Sequence, residues 1–274
     1  MSNNKHSIAV LLPTRGRTRS LADSIASLLS NAKNIKNIQF ILGFDNDDKI
    51  GFDYFIQEIQ PNLDSNNIEY TILGFDPMGY DNLNQYYNSM ATEATADWLF
   101  VWNDDAIMET QHWDQVIAQY TDQFKVLKVH THNEHPYSIF PIVPSNWVDL
   151  LGQLSIHQMI DAEISQLAYM LDILEIVDID VVHDRTDLTG NQENSPTTIR
   201  TRFEHNPNHP LDFHNPRFIQ QRLSNCDTLA AYMKSIGQDI TFWENVKATR
   251  QDPWEKLKKN DINSHMFQFK LGQL

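Results

Sequence analysis

The sequence is poor in cysteine and in basic residues. Cys226 is the only cysteine among 274 residues, so no disulfide can form within the chain, and Cys₂ or Cys₄ zinc sites are excluded. The 21 lysines and arginines are outnumbered by 36 aspartates and glutamates, which gives a formal net charge of −15. A protein with this negative field has little affinity for nucleic acid or for anionic membranes. We therefore expect no nucleic-acid partner and a reducing, cytoplasmic setting.

Long hydrophobic runs are also lacking. The polar N-terminus leads into the apolar run Ile8 to Leu12, which is too short for a signal sequence or a membrane-spanning helix. No later run reaches the length of a bilayer, so we expect no integral membrane segment. Hydrophobic residues make up 41% of the chain, which suits a globular protein with a sizeable core.

Glycine is scarce, with 9 residues, and its distribution excludes several nucleotide-binding motifs. No G-x-G-x-x-G follows a predicted strand, so the dinucleotide-binding fingerprint is absent. The stretch Gly74 to Gly79 is followed by Tyr80 and Asp81, where a phosphate-binding P-loop requires Lys and Ser or Thr. Neither a G-x-S-x-G nucleophile elbow nor an H-E-x-x-H zinc motif occurs.

Short β-type runs and helical patterns alternate along the first half of the chain. The β-type runs recur about every 30 residues, the length of one βαβ unit. They cover Ser7 to Leu12, Ile38 to Phe44, Ile68 to Leu73 and Trp98 to Trp102. This alternation predicts an α/β fold with a Rossmann-like, mainly parallel sheet flanked by helices on both faces. Ligands of such sheets bind beyond the carboxyl ends of the strands.

Helical periodicity lies between these runs. The first predicted helix carries Leu21, Ile25 and Leu28 on one face, and Ser20 with Asp23 is predicted to form a capping box at its start. Further helices are predicted over Leu83 to Glu93 and His112 to Phe124, with a looser segment over Phe52 to Ile59.

The pattern changes after Val129. Ser138 to Val143 contains Pro141 and is predicted to be an edge strand, because proline cannot donate to a central ladder. A helix is then predicted from Ile156 to Leu171, followed by a strand pair or one interrupted strand over Glu175 to His183.

The stretch from Arg185 to Pro216 is polar and rich in Asn and Pro, which predicts a long loop or linker. Helical periodicity returns in the tail. We therefore divide the chain into an α/β domain, residues 1–205, and a helical C-terminal extension, residues 206–274.

Polar residues follow two of the predicted strands in positions suited to a nucleotide. The first strand runs into Pro13-Thr14-Arg15-Gly16-Arg17, whose two guanidinium groups can bind a diphosphate or a base. An ordinary turn with solvated arginines is the alternative. The second strand ends at Asp45, whose carboxylate can accept hydrogen bonds from a base or a ribose; a solvated acidic loop is the alternative.

The fourth strand ends in the adjacent carboxylates of Asp104 and Asp105. Adjacent carboxylates repel each other unless a cation or hydrogen bonds compensate, and hard divalent ions take oxygen ligands. A metal site is the economical explanation, and a capping or turn role for one Asp is the alternative.

Together these features resemble the nucleotide-sugar half of a GT-A glycosyltransferase of family 2 type, over approximately Ser7 to Arg185. The resemblance implies a GT-A fold, a nucleoside diphosphate sugar donor, and Mn²⁺ or Mg²⁺ held on the diphosphate by an acidic motif. It implies a catalytic carboxylate at the start of the helix after the edge strand, where Asp161 and Glu163 lie, and a late metal-binding histidine, which matches His183.

The resemblance assigns each candidate residue a role. Asp161 would be the catalytic base with Glu163 as its rival, and Asp105 and His183 would be the metal ligands. The residues expected to bind the donor are Pro13, Thr14, Arg15, Arg17, Asp45 and Asp104. The chain departs from the family pattern in having Ile160-Asp161 instead of Glu-Asp and Asn-Asp-Asp instead of Asp-x-Asp. Asp105 is therefore the primary ligand, and Asp104 is expected to contact the ribose or an outer group. The stretch Gly79 to Gln85 resembles the family's nucleotide-facing helix start.

These roles predict a metal-dependent, inverting glycosyltransferase that moves a sugar from the donor to a hydroxyl group of an acceptor. The motifs do not identify the acceptor molecule. One alternative is a sugar nucleotidyltransferase, although that class usually has a Gly-rich first loop. Another is a non-catalytic protein that binds nucleotides or carbohydrates. His130, His132 and His135 form a further cluster, either a zinc site or a solvated loop.

Overall fold

A computed structural model of the protein describes residues 6–131, 137–184 and 211–249. The strands are β1 His6–Thr14, β2 Ile38–Asp45, β3 Glu69–Phe75, β4 Ala96–Val101, β5 Ala106–Met108, β6 Val126–Thr131, β7 Ile142–Pro144 and β8 Leu174–His183. The α-helices are α1 Thr18–Asn31, α2 Lys49–Tyr54, α3 Gln60–Ser65, α4 Leu83–Thr92, α5 Trp113–Ala118, α6 Asn146–Leu151, α7 Ile160–Leu171, α8 Pro216–Ser235 and α9 Thr241–Thr249. Short 3₁₀ turns cover Ile35–Asn37 and Tyr80–Asn82.

The strands within the described residues form one mainly parallel sheet in the order β3-β2-β1-β4-β7-β6-β8-β5. β1, β2, β3 and β4 are mutually parallel, and β6 is parallel to β8. β7 is antiparallel to β4 and β6, and β5 is antiparallel to β8. The predicted α/β class, with a largely parallel sheet flanked by helices, is confirmed.

The two faces of the sheet are covered by separate hydrophobic clusters, which explains the continuous apolar composition of the central strands. In β1, Ala9 and Leu11 face one cluster while Ile8, Val10 and Leu12 face the other. Alternating side chains of a strand point to opposite faces, so a strand buried on both faces needs apolar residues at every position.

The predicted capping box is wrong. Helix α1 begins at Thr18, so Ser20 and Asp23 lie inside it, and its N-cap residue Arg17 makes no side-chain capping bond. The helix begins this early because Gly16, with φ of 67°, turns the chain sharply after β1.

The looser segment predicted over Phe52 to Ile59 is helical. It lies in a continuous run from α2 to α3, in which Phe55–Ile59 has π-helical geometry. Phe44 packs against Phe52 and Phe55, with ring centroids 5.5 Å apart in both pairs. Burial of Phe55 and its packing against the buried Phe44, rather than local periodicity, hold the segment helical.

The predicted edge strand is also wrong, because β7 lies inside the sheet between β4 and β6. It spans three residues, so Pro141 lies just before it, and the carbonyl of Pro141 accepts a hydrogen bond from the amide of Val101 at 3.0 Å. Pro141, outside the strand, removes no donor from the ladder, and Pro144 is the last residue of β7, at its end. The region Glu175 to His183 forms one continuous strand, and α7 begins at Ile160 rather than Ile156.

The C-terminal helices pack directly on the α/β part of the chain. α8 contacts α6 and α7, and α9 contacts α7. Leu229, Met233 and Trp243 belong to the same hydrophobic cluster as Leu167 of α7. The predicted boundary between residues 205 and 206 lies outside the described residues. Among the helices of those residues, none combines the length and hydrophobicity that crossing a bilayer requires.

Candidate functional site

The carboxyl ends of β2, β1 and β4 meet at one edge of the sheet. Thr14 ends β1, Asp45 ends β2, and the turn Asn103 to Asp105 follows β4. Because these three strands are parallel neighbours, their polar ends form one continuous surface. Pro13 lies within β1 opposite Gly43 of β2, one residue before this surface.

One half of the site is built from Arg15 and the acidic run after β2. The guanidinium of Arg15 donates to Asp45 Oδ2 at 2.6 Å and makes a two-pronged contact with the Asp47 carboxylate. These hydrogen bonds, to Asp47 first and then to Asp45, raise the pKa of Arg15 above its usual range. Asp48 accepts a hydrogen bond from the amide of Gly16 at 2.7 Å. The loop after β1 is therefore tied to the loop after β2.

The other half is built from Asp104 and Asp105, which are both buried. Thr14 Oγ1 donates to Asp104 Oδ2 at 2.8 Å, and Arg17 Nη1 donates to Asp104 Oδ1 at 2.8 Å and Asp105 Oδ2 at 3.0 Å. Burial raises the pKa of Asp104 to about 6, against the charge of Arg17. Burial by itself lowers the pKa of the Arg17 guanidinium, but the charges of Asp104 and Asp105 outweigh this effect and raise the pKa. Arg17 thus balances the repulsion within the carboxylate pair.

His183 joins this half through strand pairing. β5 and β8 are antiparallel with Ala106 opposite His183, which brings the histidine against Asp105. Asp105 Oδ1 lies 3.2 Å from His183 Nε2, while its other oxygen faces Arg17. The imidazole is also packed edge-on against Phe140. The predicted proximity of Asp105 and His183, 78 positions apart in sequence, is therefore present in the fold.

The Asp105 and His183 pair fits a divalent cation. Adjacent ligands of an octahedral ion with bonds of about 2.1 Å lie roughly 3 Å apart, close to the spacing of Oδ1 and Nε2. The described ranges contain no group of three or more His, Cys, Asp or Glu residues suited to a metal ion. Mg²⁺ sites commonly use one or two carboxylates and complete their coordination with substrate phosphates and water. The pair therefore suits an ion that is shared with a phosphorylated ligand.

Asp161 and Glu163, the two candidate bases, have opposite environments. Asp161 lies in the first turn of α7, is partly exposed and accepts a hydrogen bond from the amide of Ala162. Its charge acts on the buried hydroxyl of Tyr87: burial raises the pKa of Tyr87 well above its usual value, and Asp104, Asp105 and Asp161 add to the effect. Glu163 is 1% exposed, and burial raises its pKa to about 7. The charge of Asp161 thus acts on Tyr87, whose hydroxyl contacts Asn103 next to the carboxylate pair, while Glu163 is buried.

Helix α4 connects the parts of the site through three successive residues that sequence reasoning missed. The Tyr86 hydroxyl donates to Asp45 Oδ1 at 2.5 Å, and the Tyr87 hydroxyl contacts the carbonyl of Trp102 and Asn103 Oδ1 at 2.7 and 2.9 Å. Asn88 bonds the segment before α7. The signal available in the sequence is the Tyr-Tyr-Asn run just after the stretch Gly79 to Gln85. That stretch forms the 3₁₀ turn and first residues of α4.

Of the histidine cluster, the described residues include His130 alone. His130 is exposed near the end of β6. His132 and His135 lie outside the described residues, so the zinc alternative stays a prediction.

His157, in the segment before α7, is held in its neutral form. The amide of Met159 donates to Nδ1 at 3.0 Å, so the proton lies on Nε2, which donates to the carbonyl of Leu211 at 2.9 Å. Burial lowers the pKa of His157 to about 4, with smaller effects from the carbonyl of Leu211 and the charges of Arg222, Asp212 and His214.

Acid will therefore destabilise the fold through His157. The unfolded state binds a proton near pH 6.5 and the folded state near pH 4, so this stabilisation is complete above pH 6.5 and is lost as the pH falls toward 4. Over that range we expect the free energy of unfolding of the wild type to fall by about 3 kcal/mol more than that of His157→Gln. Urea unfolding at pH 7 and pH 4 measures the difference. The exposed control His130→Gln should behave as the wild type, and equal acid losses in all three proteins would contradict the assignment.

Comparison with known proteins gives similarity at the level of structure alone. No protein-family model matches the sequence, and no curated protein matches it. S. aureus TarS 1-349 in complex with UDP-GlcNAc aligns with a TM-score of 0.56 over 95% of this chain and 78% of that chain, at 9% identity. The mannosyltransferase PcManGT from Pyrobaculum calidifontis, in complex with GDP-Man and Mn²⁺, aligns with a TM-score of 0.55 over 97% and 86%, at 7% identity.

A third structure, GalNAc-T7 with UDP, GalNAc and Mn²⁺, aligns with a TM-score of 0.51 over 66% of this chain and 44% of that chain, at 12% identity. Two other TarS structures are matched over 60% and 36% of their own length. At these identities the similarity establishes the fold. The chain has the fold of these glycosyltransferases, as the sequence resemblance predicts.

Proposed function

We propose that this chain, which has a glycosyltransferase fold, is a metal-dependent, inverting glycosyltransferase that uses a nucleoside diphosphate sugar. One observation carries the proposal: the buried carboxylates of Asp104 and Asp105 lie between Arg17 and His183 at the carboxyl edge of the sheet. Tyr87, whose hydroxyl contacts Asn103 next to this pair, also experiences the charge of Asp161. Two of the structures with this fold contain Mn²⁺ and a nucleotide or nucleotide sugar.

The donor nucleotide lies along the ends of β1 and β2 in this proposal. Asp45 and Arg15 bind the base or ribose, and Tyr86 orients the carboxylate of Asp45 through its hydroxyl. Pro13 and Thr14 line the floor, where Thr14 already orients Asp104. Asp104 contacts the ribose or an outer group, as the resemblance implies.

The charge at this edge explains why a diphosphate needs a cation there. Five carboxylates, those of Asp45, Asp47, Asp48, Asp104 and Asp105, bind the loop after β1, which carries only two guanidinium groups, those of Arg15 and Arg17. Both arginines already bind carboxylates, so the net negative charge of the site repels a diphosphate unless a cation binds together with it. This electrostatic need supports Mn²⁺ or Mg²⁺ as the cofactor.

Asp105 and His183 would hold the ion, through the carboxylate oxygen and imidazole nitrogen that face each other. When bound, the ion stabilises the negative charge that develops on the departing diphosphate. Arg17 adds a guanidinium on the same side of the carboxylate pair. The ion does not have to displace Arg17, because that arginine contacts Oδ2 of Asp105 and His183 faces Oδ1.

Asp161 acts as the general base. Its carboxylate takes the proton of the acceptor hydroxyl while the hydroxyl oxygen forms a bond to the anomeric carbon of the donor. The bond between that carbon and the diphosphate oxygen breaks, and the nucleoside diphosphate leaves with the electron pair. Direct displacement inverts the anomeric configuration. Asp161 rather than Glu163 has this role because it is partly exposed, whereas Glu163 is buried with its Oε2 bonded to three donors.

A panel of ligands tests the proposal directly. Nucleoside diphosphates, each with and without Mn²⁺, are screened for a rise in the melting temperature of the protein. At a ligand concentration of 100 Kd the expected stabilisation is about 2.7 kcal/mol, and it should require the ion. The corresponding nucleotide sugar should then release its nucleoside diphosphate in the presence of an acceptor or, slowly, of water. Release of pyrophosphate would indicate a nucleotidyltransferase instead, and stabilisation without any turnover would indicate a non-catalytic binding protein.

A further inference from the structure

The segment from Gly152 to Met159 connects α6 to α7, whose second residue is Asp161. Helix α4 holds it from one side through Asn88. The side-chain oxygen of Asn88 accepts hydrogen bonds from the amides of Leu154 and Ser155 at 2.9 and 3.0 Å, and its nitrogen donates to the carbonyl of Ser155 at 2.9 Å. The backbone at Ser155 is therefore fixed relative to the helix that also carries Tyr86 and Tyr87.

Glu163 holds the same segment from within α7. Its Oε2 accepts hydrogen bonds from the Ser155 hydroxyl at 2.5 Å and from the amides of Ile156 and His157 at 3.0 and 3.1 Å. These contacts fold the segment back over the first turn of α7. Glu163 lies two residues after Asp161 in the first turn of α7. The contacts that fix the position of Glu163 therefore also fix the backbone that carries Asp161.

Residues from the C-terminal part of the chain pack against a third side of the segment from Gly152 to Met159. The ring of His157 packs edge-on against Phe213 and Phe218, with centroids 5.2 and 4.8 Å away. Arg222 of α8 is fully buried, donates to the carbonyl of Phe213 at 2.6 Å, and lies 3.9 Å over the Phe213 ring. Arg222 therefore holds the residues that cover His157.

Glu163 and Arg222 are both buried, and the charge of each acts on the pKa of the other. Burial raises the pKa of Glu163 to about 7, and the charge of Arg222 opposes that rise. Burial lowers the pKa of Arg222 to about 10, and the charge of Glu163 opposes that fall. A buried charge is costly when its partner is removed, whereas removing both charges is often tolerated. Hydrogen bonds to an ionised carboxylate are also stronger than bonds to a neutral group.

We propose that Glu163 and Arg222 are positioning residues that together fix the start of α7 and direct Asp161 toward the reaction centre. The C-terminal helix α8 is then a required part of the catalytic unit, although it lies far from the donor residues in sequence. The inference rests on the proposed function, because it concerns the residue to which the proton transfer is assigned.

Arg222→Met tests the proposal, because it removes the side chain that holds Phe213 against His157 and the charge that acts on Glu163. We expect kcat to fall by about 10- to 100-fold, because a small misplacement of a reacting group has that effect. The donor Kd should stay within about twofold, since the donor residues belong to other elements. The double variant Glu163→Gln/Arg222→Met removes both charges and should recover part of the lost kcat. The matched control is Arg217→Met, which removes an exposed arginine of the same helix.

Amide hydrogen exchange supplies a readout that does not depend on activity. In Arg222→Met the amides of residues 154–162 should exchange faster than in the wild type, while those of β2 should not change. If Arg222→Met does not fold, Glu163→Gln, which has nearly the same shape, takes its place with the same expectations.

A folded variant with wild-type kcat and wild-type exchange in residues 154–162 would overturn the proposal. So would a parallel loss of donor binding, or a double variant worse than the sum of its parts. A wild-type protein without sugar transfer would instead refute the proposed function. The exchange data would then still decide whether this charge pair sets the start of α7.

Discussion

Asp161→Asn is expected to lower the rate of sugar transfer by about 10²- to 10⁴-fold, the contribution typical of a positioned general base. The substitution keeps the shape of the side chain and removes its ability to take a proton at neutral pH. Within the described residues, the hydrogen bonds and ion pairs of Arg15, Asp45 and Arg17 do not involve Asp161. Donor affinity should therefore stay near that of the wild type, so the loss appears in kcat. Steady-state kinetics with the identified donor, together with calorimetric titration, separates the two quantities.

Asp172→Asn is a matched control for this experiment. Asp172 follows the other end of α7, is exposed, and has a left-handed backbone that asparagine also tolerates. It should keep full activity. Transfer by Asp161→Asn at nearly the wild-type rate would refute Asp161 as the base, and loss of donor binding in that variant would place Asp161 in the donor site instead.

Asp105→Asn is expected to weaken binding of the nucleoside diphosphate in the presence of Mn²⁺ by at least about 100-fold. Asparagine replaces an anionic oxygen ligand with a neutral one, and even the outer partners of metal ligands contribute about 10- to 100-fold to metal affinity. The same change leaves Arg17 with Asp104 as a remaining ion-pair partner, so the loop after β1 should keep its structure. Titration calorimetry with and without EDTA measures the effect.

Asp97→Asn is the control for the metal site. Asp97 is the second residue of β4, and the turn that carries Asp105 follows the opposite end of that strand. Binding by Asp97→Asn should keep the affinity and EDTA sensitivity of the wild type. Binding by Asp105→Asn that equals the wild type and ignores EDTA would eliminate the proposed ion site, and the role of His183 with it.

The sheet could be predicted from the sequence where strands are buried on both faces and regularly spaced. Ile38 to Phe44 and Trp98 to Trp102 are apolar at nearly every position, and this composition is typical of central parallel strands. The same reasoning failed at β7, where Pro141 indicated an edge. The position of a three-residue strand depends on its neighbours in space and leaves almost no local pattern.

Some residues of the candidate site could likewise be predicted from the sequence, and others could not. Asp45, Asp104 and Asp105 were predictable because they follow recognisable strands, and parallel strands place their carboxyl ends at one edge. The roles of Tyr86 and Tyr87 were not predictable, because helical periodicity predicts that these residues are helical but not that their hydroxyl groups contact Asp45 and Asn103. Glu163 looked equivalent to Asp161 in sequence, and only burial separates the two.

The sequence by itself determined the α/β class, the glycosyltransferase type of fold and the strand ends at which polar chemistry is concentrated. The α/β class and the strand ends depend on periodicity and composition within single strands and helices, which are local properties of the chain, whereas the glycosyltransferase type followed from the resemblance of the motifs at those strand ends. The family resemblance predicted that His183 lies near Asp105, and the pairing of β5 with β8 provides that contact. Only the tertiary structure decided that Arg17 bonds both carboxylates of the pair and that Arg222 of α8 bonds the carbonyl of Phe213, whose ring packs on His157. Together these contacts join parts of the chain that are far apart in sequence through strand pairing or helix packing, and such pairings are set by the free energy of the whole fold.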